Sequence, residues 1–254
     1  MTSLIVKNLN VVKDSAPILS DVSFSANAGE FIGILGANGA GKSTLLSAIA
    51  GTLQSGGQVE LNGRALEAIS LHQRASFMSY LPQHRPVHWS MTLEQVVKLG
   101  RFASRDNSDS AKELRAVDDA IKTMHLSHLS GRHTHTLSGG ERARMHLARV
   151  LASQVKMLLL DEPIDALDPQ HQHDIMNILA NQAKAGSLVI ASFHDIDLAM
   201  RYCSRLIVLH EGTLYADDTP DRVVTAKTIK DVFNLSLNLL DVGEDKYPLL
   251  SPEM

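Results

Sequence analysis

Only one cysteine, Cys203, occurs among the 254 residues, so no internal disulfide can staple this chain. The residue reads as a core or helix-face thiol in a protein suited to a reducing compartment. Long apolar runs are missing too. Stretches such as Met157-Leu158-Leu159-Leu160 and Leu188-Val189-Ile190-Ala191 fall far short of the roughly 20 residues that a membrane helix needs. Work at a membrane would therefore depend on a separate anchor. Basic excess is also lacking: a formal net charge of −4 gives no electrostatic ground for a nucleic-acid partner. Met1 to Lys7 show no charged start, apolar stretch or small-residue cleavage site of a secretory signal, and the chain is expected to stay where it is made. No internal repeat or low-complexity linker breaks the sequence.

What is present points to one large domain or two small ones, since 44% hydrophobic and 20% charged residues suffice for a sizeable core. Short β-rich runs alternate with helical patterns, which predicts an α/β fold with a mostly parallel sheet. Strands are expected at Phe31–Leu35, Val59–Leu61, Phe77–Leu81, Met157–Asp161, Leu188–Ser192 and Leu206–Leu209, with a helix from Lys42 to Leu53 closed by the Gly56-Gly57 turn. From about Thr92 to Ala152 only helical periodicity is visible. Leu93, Val96, Val97 and Leu99 form one apolar set, and Leu114, Val117, Ile121 and Met124 another. Residues 103–110 read as a polar loop whose last serine caps the next helix. The expected division is an α/β core over 1–85 and 153–222, an inserted helical subdomain over 86–152, and an appendage over 223–254 that is helical at Thr225–Phe233 and β-like at Leu235–Leu250.

The chemistry concentrates in three places. Gly36-Ala37-Asn38-Gly39-Ala40-Gly41-Lys42-Ser43-Thr44 lies between a buried strand and a helix, the context of a phosphate-binding loop. Its glycines let backbone N–H groups approach phosphate oxygens at a helix N-terminus, Lys42 brings a charge to the terminal phosphates, and the Ser43 hydroxyl suits Mg2+. The second place is the apolar strand that ends in Asp161-Glu162. There Asp161 can orient Mg2+ and Glu162 can take a proton from the water attacking a γ-phosphorus. The third is Ser138-Gly139-Gly140-Glu141, a helix start that reads either as plain capping or as a second anion site, which, with one helix start already serving the phosphates, would meet a nucleotide held by another copy. His194 follows an apolar strand at the active edge of the sheet. The other histidines, including His133 with His135 and His171 with His173, lack the partners of a tetrahedral set and are read as polar surface.

Taken in order, Gly36 to Thr44, Gln83, Leu137-Ser138-Gly139-Gly140-Glu141, Leu158 to Pro163, Ala166-Leu167-Asp168 and His194 resemble the nucleotide-binding subunit of ABC transporters over nearly the whole chain. The resemblance implies a P-loop NTPase fold with an N-terminal antiparallel β part, and a head-to-tail dimer with two ATP molecules sandwiched between copies. By motif position Gln83 would sense Mg2+ and the attacking water, Asp168 would lie at the dimer seam, His194 would contact the γ-phosphate, and Glu162 would be the catalytic base. Two departures stand out. Val11, Val12 and Lys13 occupy the place where the family often stacks an aromatic on adenine, so adenine contact should be weaker or apolar. Ile164 and Asp165 follow Asp-Glu-Pro in place of the common threonine, with little expected effect on chemistry.

A single cassette without a membrane segment is similar to stand-alone import ATPases that pair with separate permease subunits and a substrate-binding protein at the cytoplasmic face of the membrane. The segment Pro86 to Arg101 is similar to the permease-facing region of importers of iron chelates, haem and vitamin B12, the Leu99-Gly100-Arg101-Phe102 run most of all, and Trp89 is either a partner contact or a half-buried core residue. Zinc or manganese importers and soluble ATPases of iron–sulfur cluster assembly are the alternatives. A DNA-repair ATPase would need a coiled-coil insertion that the sequence lacks.

Overall fold

The computed structural model describes residues 2–85, 90–104, 110–242 and 245–252. Trp89 and the middle of the polar loop, 105–109, lie outside them, as does the side chain of Ser110. In chain order the elements are β1 (Ser3–Lys13), β2 (Ala16–Asn27), β3 (Phe31–Leu35), α1 (Lys42–Ile49), β4 (Gly56–Leu61), β5 (Arg64–Ala65), α2 (Leu71–Phe77), β6 (Met78–Leu81), α3 (Leu93–Lys98), α4 (Ser110–Thr123) and α5 (Gly139–Ala152). They continue with β7 (Met157–Leu160), α6 (Pro169–Lys184), β8 (Leu188–Ser192), α7 (Ile196–Tyr202), β9 (Arg205–His210), β10 (Thr213–Asp218), α8 (Pro220–Val223), α9 (Ala226–Phe233), β11 (Leu235–Val242) and β12 (Asp245–Pro252).

Every residue of β3, β7 and β8 is buried, as their unbroken apolar runs require, because a parallel sheet is covered on both faces. The central sheet runs β10-β9-β3-β8-β7-β6. Its strands are parallel from β9 to β6, and only β10 is antiparallel. Alternation along each strand divides the core. Met157 and Leu159 join Ile32, Ile34, Leu188 and Ile190 against α1 and the antiparallel sheet β2-β1-β4-β5. Leu158 and Leu160 face the other way, toward residues of α5, α6 and α7.

The consequence for function is positional. Strands β3, β8, β7 and β6 are neighbours that point the same way, so the loops after their C-terminal ends meet along one edge. Those loops begin at Gly36, Phe193, Asp161 and Pro82.

Helices α3 and α4 pack on α5, with Val117, Ile121 and Met124 in the interface and Leu93, Val96 and Val97 beside them. Leu114 and Leu99 were expected on these faces, but they are 47% and 44% exposed. Leu99 falls past the end of α3, in a 3-10 turn with different side-chain spacing. Helix α1 also stops earlier than the sequence suggested. Gly51 takes φ +70 and the Thr52 N–H donates to the Ser47 carbonyl at 3.0 Å, a left-handed glycine stop five residues before the expected turn. The hairpin β11–β12 rests on α9 and α7. Cys203 is buried, and burial pushes its thiol up. Among the described residues no helix is long and apolar enough to cross a membrane.

His146 of α5 is a buried group with a measurable consequence. Its Nδ1 has no hydrogen-bond partner, and burial, reinforced by the charges of Arg149 and Arg85, lowers its pKa to about 4. The folded protein therefore keeps this ring neutral where the unfolded chain would protonate it. Stability should fall as pH drops from 6.5 to about 4 and level off below. The loss is on the order of 3 kcal/mol, at 1.36 kcal/mol for each unit of difference. Urea unfolding across that range, compared with His146→Gln, should show a flatter acid limb in the variant.

Candidate functional site

Glycine is compulsory where the loop leaves β3. A Cβ on Gly36 would sit 2.4 Å from the Leu209 carbonyl oxygen, and the residue has φ +151. The chain then passes over Gly39 and Gly41 into α1, whose first residue is Lys42. Lys42 is only 6% exposed, and its Nζ donates to the carbonyls of Gly36 at 2.7 Å and Ala37 at 3.2 Å. Burial lowers its pKa, while Glu162, Asp161 and Asp165 pull the other way. A positive group is thus held inside the loop opposite a set of carboxylates.

An open cleft of about 360 Å³ lies over this loop, lined by Asn38 to Thr44 together with Lys13, Ile18, Gln83, Glu162 and His194. Among the expected residues, Asn38, Gly39, Ala40, Gly41, Lys42, Ser43, Thr44, Gln83, Glu162 and His194 therefore meet in one place. Gly36 lies beneath, as the Lys42 acceptor. Asp161 is 1% exposed and set behind the cleft, where its Oδ1 accepts from Ser192 Oγ at 2.7 Å. Ile18 and Lys13 complete the lining. Val11 is buried and Val12 faces solvent.

Glu162 stands at the centre of the polar network. Gln83 Nε2 donates to its Oε2, and its Oε1 lies 2.7 Å from His194 Nε2. Burial raises the Glu162 pKa, but the bonds from His194 and Gln83 outweigh it and hold the carboxyl below its ordinary value. It is therefore an anion at neutral pH. Its backbone has φ +48, a left-handed conformation that costs a non-glycine residue about 1–3 kcal/mol and persists only where neighbours enforce it.

Several contributors are hard to find from sequence. Asp165 has its Oδ2 3.8 Å from His194 Nε2, and burial together with the Glu162 charge raises its pKa. It is a third titratable group beside Glu162 and His194. Ser192 accepts from the Glu162 N–H at 2.9 Å. Arg85 donates from Nη2 to the carbonyls of Asp161 and Glu162. A serine closing a strand and an arginine in a loop carry no spacing signal; their position next to Asp161-Glu162 and after Gln83 is the only hint.

Ser138, Gly139 and Gly140 do not line this cleft. Ser138 caps α5 in a reciprocal box, its Oγ accepting from the Glu141 N–H while its own N–H donates to Glu141 Oε2 at 2.7 Å. Gly139 and Gly140 open the helix, and Gly139 has free space around its Cα. Asp168 caps α6, accepting from His171 N–H at 3.0 Å and lying 2.7 Å from its ring Nδ1. This helix start lies apart from the cleft of its own chain, with Gly139 open and Gly140 against Ala166 and Leu167.

Of the residues expected to hold Mg2+, Ser43 and Gln83 line the cleft and offer oxygen, the ligand type that this hard cation takes, whereas Asp161 also offers oxygen but lies behind the cleft with its Oδ1 bonded to Ser192.

Comparison with known proteins gives the family. The ABC transporter family model matches residues 19–165. The chain is 39% identical over 251 residues to the hemin import ATP-binding protein HmuV of Pseudomonas entomophila, covering 96% of this chain and 98% of that one. It is 40% identical to the HmuV protein of Pseudomonas fluorescens, over 96% and 97%. Its fold superposes with a TM-score of 0.82 on a metal-chelate type ABC transporter in an inward-facing conformation, at 22% identity and over 100% of this chain. Matched over more than half its length by the family model and over nearly all of it by such relatives, the chain belongs to the ABC transporter family as an ATP-binding subunit.

Proposed function

We propose that this ATPase energises the import of hemin, working as a dimer against membrane permease subunits at the cytoplasmic face and receiving cargo through a substrate-binding protein. One observation carries the choice of cargo: the relatives matched over almost their full length, at 39–40% identity, are hemin import ATP-binding proteins. Hemin is an iron chelate, in keeping with the importer group that Pro86 to Phe102 resembles. Residues 86–152 would form the helical subdomain that faces the permease, and 223–254 an appendage.

The chemistry follows from the cleft. ATP lies with its phosphates over the N–H groups of Gly39 to Thr44 and its base near Ile18. Lys42 leaves the Gly36 and Ala37 carbonyls for the β- and γ-phosphates. Ser43, Asp161 and Gln83 would hold Mg2+, which when bound neutralises charge on the phosphate oxygens. Glu162, already an anion, accepts a proton from a water whose oxygen attacks the γ-phosphorus; the bond to the ADP oxygen breaks, giving ADP and phosphate. Each Glu162 oxygen accepts one of these bonds, from Gln83 and at His194, and keeps a second lone pair for the attacking water. His194, 41% exposed at the cleft, would contact the γ-phosphate. Ser138, Gly139 and Gly140 of a second copy complete the site, with Asp168 at the seam.

The test is reconstitution with a hemin permease in vesicles. ATP-dependent hemin accumulation that disappears when this chain is omitted supports the assignment. ATP turnover stimulated by a zinc or manganese permease and not by the hemin permease would overturn it.

A further inference from the structure

Glu162 is aimed by a backbone that would not hold itself. Strand β7 ends at Leu160, and the last ladder bond beyond it runs from the Asp161 N–H to the Leu81 carbonyl at 2.8 Å. The next two carbonyls, of Asp161 and Glu162, have left the sheet. Both are collected by one nitrogen: Arg85 Nη2 donates to them at 2.8 and 3.0 Å. The same guanidinium donates from Nε to the Pro82 carbonyl at 2.6 Å, which ties the ends of β6 and β7 together. On the opposite side the Glu162 N–H is held by Ser192. The left-handed turn at Glu162 is therefore clamped at its N–H by a hydroxyl and at its carbonyl by a guanidinium.

From this geometry we infer that Arg85 is a positioning residue for hydrolysis: it holds the backbone turn that aims the Glu162 carboxylate, without touching nucleotide. The inference rests on the reading of Glu162 as the base. A planar guanidinium reaches three carbonyls from fixed directions, which an amide cannot do and an ammonium does only in part. Displacement of a reacting group by about 1 Å can lower a rate about a hundredfold, whereas the phosphate loop lies on a different strand and keeps its shape.

The experiment compares Arg85→Gln and Arg85→Lys with the parent, alone and combined with Glu162→Gln, by steady-state ATPase kinetics, single-turnover phosphate release and ATP binding. Arg85→Gln should lower kcat about ten- to a hundredfold, with KM and ATP affinity within about threefold, and Arg85→Lys should recover part of the loss. In the Glu162→Gln background the Arg85→Gln change should cost nothing further, since the group it aims is already disabled. Unchanged kcat in Arg85→Gln, or an equal further loss in the double variant, overturns the inference alone. Loss of ATP binding in both Arg85 variants would make the residue merely structural and also overturns it. Retained turnover in Glu162→Gln removes the base assignment and, with it, this role for Arg85.

Discussion

Glu162→Gln should bind ATP as tightly as the parent chain and turn it over about a thousandfold more slowly, within the range that general-base removal produces. The amide keeps the size and the possible bonds of the carboxylate toward Gln83 and His194, so the network that now engages both oxygens can largely re-form. What it loses is the ability to accept a proton. The effect should fall on kcat and not on KM, because the interaction exists only in the transition state. Phosphate release at saturating ATP, with nucleotide affinity measured by equilibrium dialysis, separates the two. A variant with parental turnover would remove Glu162 as base, and one with lost ATP affinity would place the residue in ground-state binding.

Lys42→Ala should act on the other half of the site and lower ATP affinity on the order of a hundredfold, about 3 kcal/mol, as expected for truncating one partner of a desolvated charge pair. Lys42 is buried beneath the loop, its Nζ bonded to the carbonyls of Gly36 and Ala37. It is therefore held close to the phosphates that must displace it. Removing it leaves three nearby carboxylates, of Glu162, Asp161 and Asp165, facing a polyanion without compensation. Titration calorimetry with ATP and with AMP tests this directly. The loss should be large for ATP and small for AMP, which lacks the terminal phosphates; equal losses would place Lys42 away from them.

Much of this was legible in the sequence for a physical reason. The apolar runs that end in Gly36, Asp161 and His194 mark strands of a parallel sheet, and such strands deliver their following loops to a single edge. The order β3, β8, β7, β6 then explains why residues as far apart as Lys42, Gln83, Glu162 and His194 line one cleft. The Ser138 box at the start of α5 was visible because capping is local chemistry.

What stayed hidden depends on three-dimensional neighbours. Arg85 and Ser192 matter through carbonyls and an N–H that belong to other strands, and no periodicity marks them. Ile18 reaches the rim only because the β1–β2 hairpin packs beside the loop. Asp165 comes near His194 only in the fold. The exposed Leu114 and Leu99 show a different limit. An apolar residue at nearly the right spacing is not buried when the helix has ended or when nothing packs against that turn.

The central claim is that this cleft is half of an ATPase site completed by Ser138, Gly139 and Gly140 of a second copy. Sedimentation of Glu162→Gln tests it most directly, because blocked hydrolysis leaves the shared nucleotide in place. The variant should sediment as a dimer with ATP and Mg2+, and as a monomer with ADP or when Ser138 is also replaced by arginine. A monomer at saturating ATP, or a dimer indifferent to nucleotide and to Ser138→Arg, would contradict the account.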